Sequence, residues 1–188
     1  SPPASASIMG DTLSYALNFN MDVDAPRIFA TSGLYAESAM SFMTPPNPTK
    51  LNAMRDRGAK MIVFHGNADP VFSVDDTTAW YDALDAESGF TANRFVRLFR
   101  VPGMGHSRGG PATDQFDALS ALVDWVEFGK APDAMVATAR GAGNAGGVNS
   151  DLPSDWSAGR TRPLCPYPLK ARYKSGDKEI ASSFACEK

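Results

Sequence analysis

The segment Lys60-Met-Ile-Val-Phe-His65 is a short apolar run followed by Gly66. Such a run is typical of a strand that is buried on both faces of a parallel sheet. The next segment predicts a helix, because Ser73 and Asp76 resemble a capping box and the helical periodicity continues to about Glu87. The segment therefore begins an α/β arrangement in which a helix follows a strand.

A second strand and a second helix follow in the same order. Residues Arg94–Val101 predict the strand, and arginines at every third position suggest a place toward the edge of the sheet. The clearest helix opens at Ala112 or Thr113 and ends at Gly129. Its predicted apolar face consists of Phe116, Leu119, Leu122, Val123 and Val126. The strand-helix-strand-helix order implies a right-handed crossover between parallel neighbours.

Three parts of the chain follow from these elements. Residues 1–48 predict an irregular lead-in with a short helix within 27–43, and residues 49–140 carry the α/β segment after a short helix that ends at Gly58. Residues 141–188 predict a surface loop or linker and then an irregular tail. Two strands do not make a stable doubly wound sheet, so the other strands must come from an upstream part of the protein or a partner chain.

Composition excludes several classes of function. Hydrophobic residues make up 43% of the 188 residues and charged residues 21%, which is typical of a globular domain. The net charge of −3 and the absence of a basic cluster argue against nucleic acid as a partner. No apolar stretch approaches the roughly 20 residues that span a bilayer. The amino end lacks the pattern of a signal peptide, so we expect a soluble chain whose signal peptide is removed or lies upstream.

Both cysteines, Cys165 and Cys186, lie in a tail with little helix or strand pattern. This placement predicts a disulfide that holds the tail down, and with it an extracellular or periplasmic location. The alternative is two unrelated reduced thiols.

Two polar residues follow the predicted strands, where ligands bind in open α/β sheets. Asp69 comes four residues after His65, and His106 lies in the turn after the second strand. A carboxylate beside an imidazole is the orienting and general-base pair of a hydrolase. The alternatives are a local turn cap for Asp69 and an ordinary loop histidine for His106. His65, at the end of the first strand, is interpreted as a structural residue that lies near enough to line the site.

Several motifs together resemble the tannase and feruloyl esterase family of α/β-hydrolases. The first is Phe64-His-Gly-Asn-Ala-Asp69-Pro-Val-Phe. The second is Val101-Pro-Gly-Met-Gly-His106-Ser-Arg-Gly-Gly-Pro-Ala-Thr-Asp-Gln-Phe-Asp-Ala-Leu, and the third is Asp124-Trp-Val-Glu-Phe-Gly-Lys-Ala-Pro. Arg162-Pro-Leu-Cys165-Pro-Tyr-Pro and Cys186 resemble that family's tail. The resemblance runs from about Pro48 to the end and implies the C-terminal part of an α/β-hydrolase sheet.

The resemblance implies that Asp69 is the acid and His106 the base of a Ser-His-Asp triad. The nucleophilic serine precedes the acid along such chains, yet no G-x-S-x-G occurs before Asp69. The one match in the chain, Gly105-His-Ser107-Arg-Gly109, follows the acid and contains His106 itself. The serine, the oxyanion hole and the substrate-covering lid are therefore expected in an upstream part of the same protein. Many family members carry a cysteine after the histidine, where this chain has Ser107. Ser107 is a poor nucleophile candidate, because it is adjacent to the base in the chain.

The function that the resemblance implies is a serine carboxylesterase that hydrolyses aromatic esters such as feruloyl or galloyl esters. The predicted disulfide adds a secreted or periplasmic location. No metal or organic cofactor is expected, and this chain alone is expected to be inactive. Val71 and Phe72 are candidates for the wall of the acyl pocket, although they could simply cover the sheet edge. The alternative function is an inert fragment or a binding module that retains the hydrolase scaffold.

Overall fold

The computed structural model describes residues 11–188, so the first ten residues of the predicted lead-in lie outside the described residues. The chain divides into two compact units, Ser1–Pro48 and Thr49–Lys188. The described part of the first unit contains the helices α1 (Thr12–Asn18) and α2 (Ala39–Met43) and a 3-10 helix, Ala25–Phe29. Helix α2 lies within the range 27–43, where the sequence predicts a short helix.

The second unit begins with a short helix and then follows the strand-helix-strand-helix order that the sequence predicts. Helix α3 (Asn52–Asp56) precedes β1 (Met61–Gly66), and α4 (Val74–Glu87) connects β1 to β2 (Val96–Val101). The strands pair in parallel, in register from the first residue of each strand to the last. A helical crossover brings the carboxyl ends of such strands to the same edge of the sheet.

Helix α4 forms where the capping pattern predicts it. The side chain of Ser73 accepts hydrogen bonds from the main-chain N–H groups of Asp75 and Asp76. Tyr81 and Leu84 are buried and belong to the hydrophobic cluster that includes β2 residues. The helix is therefore fixed both by its N-cap and by packing on the sheet.

Strand β2 is the better buried of the two strands, although within residues 11–188 β1 is the only strand of its sheet that pairs with it, which agrees with the predicted place toward the sheet edge. Its apolar residues are fully buried: Val96, Leu98, Phe99 and Val101. The N–H of Tyr167 donates to the carbonyl oxygen of Leu98 at 2.7 Å, so the tail covers the second edge of β2. Arg94 lies outside the strand, in the 3-10 helix Ala92–Arg94, and Arg97 donates to the carbonyl oxygen of Pro132. The arginines therefore do not mark an exposed strand.

Strand β1 is less buried than predicted, since its sequence predicts a strand that is buried on both faces. Only Gly66 of this strand is buried, and Phe64 is 44% exposed. Among the described residues β1 pairs with β2 alone, so its other edge has no strand beside it. The elements that the structure describes therefore bury the apolar run of β1 only in part.

Helix α5 (Ala118–Phe128) begins later than the predicted Ala112 or Thr113. Asp117 caps it, and the preceding Gln115 is instead extended, with two main-chain hydrogen bonds to Thr138. The helix ends at Gly129, which has a φ of 69°. Trp125 is buried, whereas the predicted apolar face is largely exposed at Leu119, Val123 and Val126. No helix among the described residues has both the length and the apolar character that crossing a membrane requires.

The prediction of an irregular tail is wrong, because short strands run through it. Strand β3 (Met135–Thr138) pairs antiparallel with β4 (Thr161–Leu164), and β5 (Lys170–Tyr173) pairs with β6 (Phe184–Glu187). A 3-10 helix, Ala181–Ser183, leads into β6. The predicted disulfide is confirmed: Cys165 and Cys186 are bonded, with their Cα atoms 5.4 Å apart.

Candidate active site

Asp69 and His106 follow the two parallel strands at the same end of the sheet. Asp69 lies in the loop after β1, and His106 lies in the loop after β2. The Nδ1 atom of His106 is 2.9 Å from Oδ2 of Asp69. The fold thus brings together the two residues that the sequence predicts as acid and base.

The carboxylate of Asp69 is held by several donors in a nearly enclosed position. Only 5% of its side chain is exposed, and its Oδ1 accepts the N–H groups of Val71 at 2.7 Å and Phe72 at 3.1 Å. Burial raises the pKa of Asp69, but the hydrogen bonds from His106, Val71 and Phe72 outweigh that effect and lower this pKa to about 2. Asp69 is therefore an anion at neutral pH.

The charge of Asp69 decides which nitrogen of His106 carries the proton. An ionised carboxylate can only accept, so Nδ1 of His106 is the donor, and in the neutral ring Nε2 is an unprotonated base. The side chain of His106 is 48% exposed, and Nε2 has no hydrogen-bond partner within the described part of the chain. An oriented imidazole with a free basic nitrogen can act as a general base.

Aromatic side chains border this pair. The ring centroid of Phe72 lies 5.4 Å from that of His106, and both residues line an open cavity of about 200 Å³. Besides Asp69 and His106, the lining residues are Phe64, His65, Gly66, Phe72, Met104 and Ser107. Of the residues predicted to line a pocket, Phe72 and His65 therefore lie at this cavity, whereas Val71 is exposed and lies outside its lining.

The loops after the two strands are in direct main-chain contact. The N–H of Ala68 donates to the carbonyl oxygen of Met104 at 3.0 Å. A Cβ atom on Gly66 would collide with the carbonyl oxygens of Met104 and Gly105, so only glycine fits there without a backbone shift. This close approach sets the separation of the acid and the base.

A buried ion pair that the sequence analysis did not identify anchors the loop that carries His106. Arg140 donates to Asp114 from Nε at 3.0 Å and from a terminal nitrogen at 2.7 Å, with side chains only 7% and 0% exposed. Asp114 also accepts the N–H of Gly109 at 2.7 Å. Burial raises the pKa of Asp114, but the bonds from Arg140 and Gly109 hold it below its ordinary value. The pair is therefore charged at neutral pH and ties the His106 loop to β3's end.

The predicted surface loop, residues 141–159, provides a second anchor. The side-chain amide of Asn149 donates to the carbonyl oxygen of Gly110 at 2.8 Å, and the N–H of Gly110 donates to Asp151 at 3.0 Å. No periodicity or motif spacing links these residues to His106. The anchors are visible only once the chain is folded.

Nothing in the described residues supplies a nucleophile to His106. Within 11–188 no serine hydroxyl donates to this imidazole, and Ser107, which has a φ of 67°, directly follows the base in the chain. The same residues hold no group of three or more His, Cys, Asp or Glu side chains placed to bind a metal ion. The site is therefore an acid-base pair beside an open cavity.

Comparison with known proteins supplies the context of this pair. The sequence model of the family described as tannase and feruloyl esterase matches residues 14–187. The mono(2-hydroxyethyl) terephthalate hydrolase of Piscinibacter sakaiensis is 47% identical over 171 residues, 90% of this chain and 26% of that protein. A probable feruloyl esterase of Arthroderma benhamiae is 33% identical over 181 residues, 94% of this chain and 30% of that protein.

A solved structure shows the same fold. An esterase from Aspergillus oryzae matches 99% of this chain and 38% of its own, with a TM-score of 0.63 and 21% identity. The chain spans between 26% and 30% of the length of the two curated relatives. A family match over residues 14–187 and 47% identity across nine-tenths of the chain establish the relationship. The chain belongs to the tannase and feruloyl esterase family.

Proposed function

We propose that this chain is the acid-base portion of a serine carboxylesterase that hydrolyses aromatic esters. The observation that carries the proposal is the 2.9 Å contact between Nδ1 of His106 and Oδ2 of Asp69. The lowered pKa of Asp69 supports it, since the ionised form fixes the tautomer in which Nε2 of His106 faces a substrate as a base.

The reaction needs a serine from an upstream part of the same protein. Nε2 of His106 takes the proton of that serine hydroxyl while the serine oxygen bonds to the ester carbonyl carbon, and Asp69 stabilises the imidazolium. His106 then gives the proton to the alcohol oxygen as the ester bond breaks, which leaves an acyl-serine. In the second step His106 takes a proton from water while the water oxygen bonds to the acyl carbon. The bond between the acyl carbon and the serine oxygen then breaks, the carboxylic acid leaves, and His106 returns the proton to the serine oxygen. The chemistry uses no metal or organic cofactor.

Exposed apolar surface supports the proposal that upstream strands and a lid complete this protein. The second edge of β1 carries no strand within residues 11–188, and Phe64 on that strand is 44% exposed. On α5, Leu119 is 72% exposed and Val123 is 46% exposed. Exposed strand edges and apolar faces of this kind are normally covered in a stable protein.

The proposed substrate class rests on the aromatic border of the cavity and on the relatives. Phe72 stands against the ring of His106, and Phe64 lies on the same cavity. Flat apolar rings of this kind favour an aromatic acyl group. The names of the relatives, a terephthalate ester hydrolase and a feruloyl esterase, point to the same class. Feruloyl and galloyl esters are therefore the first substrates to test.

A secreted or periplasmic location is part of the proposal. The disulfide between Cys165 and Cys186 supports it, because such bonds persist mainly in oxidising compartments.

The proposal is tested with the complete protein and with this chain alone. Hydrolysis of methyl ferulate and methyl gallate is measured for each, and a fluorophosphonate probe is followed by intact mass and peptide mapping. We expect turnover and one labelled serine, upstream of this segment, in the complete protein alone. Turnover by this chain alone would contradict the upstream nucleophile. A complete protein that neither hydrolyses ester nor reacts with the probe would replace the proposal with the inert fragment or binding module.

A further inference from the structure

His65 lies beside the acid-base pair in a largely enclosed position. Its side chain is 12% exposed, and its Nε2 atom is 3.3 Å from Oδ2 of Asp69. The same nitrogen is 3.2 Å from the carbonyl oxygen of Phe72, and Nδ1 is 2.8 Å from the hydroxyl oxygen of Thr77. Each ring nitrogen thus faces a defined polar partner.

These partners determine the tautomer of His65. Both groups near Nε2, a main-chain carbonyl and an ionised carboxylate, can only accept hydrogen bonds. Nε2 therefore carries the proton, and in the neutral ring Nδ1 accepts from the hydroxyl of Thr77. Because Thr77 lies on α4, this helix fixes the orientation of the His65 ring.

We propose that His65 is a positioning residue, which holds the carboxylate of Asp69 in the orientation that His106 requires. Oδ2 of Asp69 receives Nδ1–H of His106 and also faces Nε2–H of His65, while Oδ1 accepts the N–H of Phe72. The carbonyl oxygen of Phe72 in turn accepts from Nε2–H of His65. His65, Asp69 and Phe72 therefore contact one another in a ring, and rotation of the Asp69 carboxylate would break several of these contacts at once.

This inference rests on the proposed function and adds a role for a residue whose two ring nitrogens both face groups of the protein. A histidine that only filled space would be replaceable by any side chain of similar size. A positioning histidine must supply one specific donor, the N–H at the Nε2 position. The two roles predict different outcomes for two amide substitutions.

The experiment compares His65→Gln and His65→Asn in the complete protein. The amide nitrogen of glutamine reaches the position of Nε2 and can donate to Asp69, whereas that of asparagine reaches only the position of Nδ1. We expect His65→Asn to lower kcat about 10–100-fold, because displacement of a reacting group by about 1 Å has effects of that size. KM should change little, since both ring nitrogens of His65 face protein groups and neither is left to bind the ester. His65→Gln should restore most of the kcat.

A second pair of variants protects the test against a folding defect in His65→Asn. Thr77→Val removes the hydroxyl that fixes the ring but leaves His65 in place, and Thr77→Ser retains the hydroxyl. We expect Thr77→Val to lower kcat and Thr77→Ser to keep it, with equal Tm values. Nitrogen NMR shifts of ¹⁵N-histidine-labelled protein should show His65 protonated at Nε2 in the wild type.

Each outcome separates this inference from the proposed function. Equal kcat values for wild type and His65→Asn would overturn the positioning role. An equal loss of kcat in His65→Gln and His65→Asn, at unchanged Tm, would overturn it as well. A His65 ring protonated at Nδ1 would overturn it without any activity measurement. A wild-type protein with no ester turnover would instead remove the proposed function itself.

Discussion

Nδ1 of His106 lies 2.9 Å from Oδ2 of Asp69, although 37 positions separate the two residues along the chain. The parallel pairing of β1 and β2 places both loops at one edge of the sheet. Hydrogen bonds from the main chain and from His106 lower the pKa of Asp69 and keep it ionised, so its carboxylate accepts from the imidazole at neutral pH.

Asp69→Asn should lower kcat/KM of the complete protein about 10³–10⁴-fold, because an amide can donate to Nδ1 and favour the wrong tautomer of His106. Asp133→Asn is the matched control, since the side chain of Asp133 is 93% exposed and, within residues 11–188, forms an ion pair with Arg97 alone. The control should keep its kcat/KM in the same ester assay. Equal losses in the two variants would contradict the role of Asp69.

The lowered pKa of Asp69 also predicts a dependence of stability on pH. Its folded-state value of about 2 lies below the ordinary 3.8, so the folded state keeps this carboxylate ionised where the unfolded chain binds a proton. The resulting stabilisation is complete above pH 3.8 and is lost as the pH falls to about 2. Urea unfolding of wild type and Asp69→Asn should show a free-energy difference that shrinks within this window. A difference that stays constant would contradict the prediction.

The buried pair of Asp114 and Arg140 should be important for stability. Asp114→Ala leaves the guanidinium of Arg140 buried without its partner, which typically lowers the free energy of unfolding by about 3–5 kcal/mol. The control is Glu187→Ala, because its pair with Lys174 is exposed at both side chains, 46% and 52%. That change should be below about 1 kcal/mol. Similar decreases in the free energy of unfolding for the two variants, measured by chemical denaturation, would show that the buried pair does not anchor this region.

Gly66→Ala should disturb the site, because the added Cβ meets the carbonyl oxygens of Met104 and Gly105. We expect kcat/KM to fall by about 100-fold as the two loops separate. Gly159→Ala serves as the control, since a Cβ there meets no atom within 4 Å. An unchanged kcat/KM for Gly66→Ala would mean that the loops adjust without moving the acid from the base.

Local signals in the sequence were sufficient for much of the α/β segment. The apolar run of β1 and the N-cap at Ser73 depend on neighbouring residues, so pattern and capping predict them. The side-by-side placement of Asp69 and His106 followed from the crossover rule for parallel strands. The disulfide was predictable because Cys165 and Cys186 are the only cysteines of the chain.

Long-range pairing accounts for what the sequence did not predict. The apolar spacing of α5 extends back to Phe116, but main-chain hydrogen bonds between Gln115 and Thr138 keep that segment extended. The strands of the tail have four residues each, too few for a clear alternation. The pair of Asp114 and Arg140 joins two loops that no motif connects.

The role of His106 as the base is tested by kcat/KM for methyl ferulate of the complete protein, as wild type and as His106→Ala. We predict a fall of about 10⁴-fold or more at unchanged Tm, because the base of both acyl-transfer steps is removed. Ser107→Ala should retain most activity, since that serine is not the proposed nucleophile. A His106→Ala protein that hydrolyses the ester as fast as wild type would contradict the account.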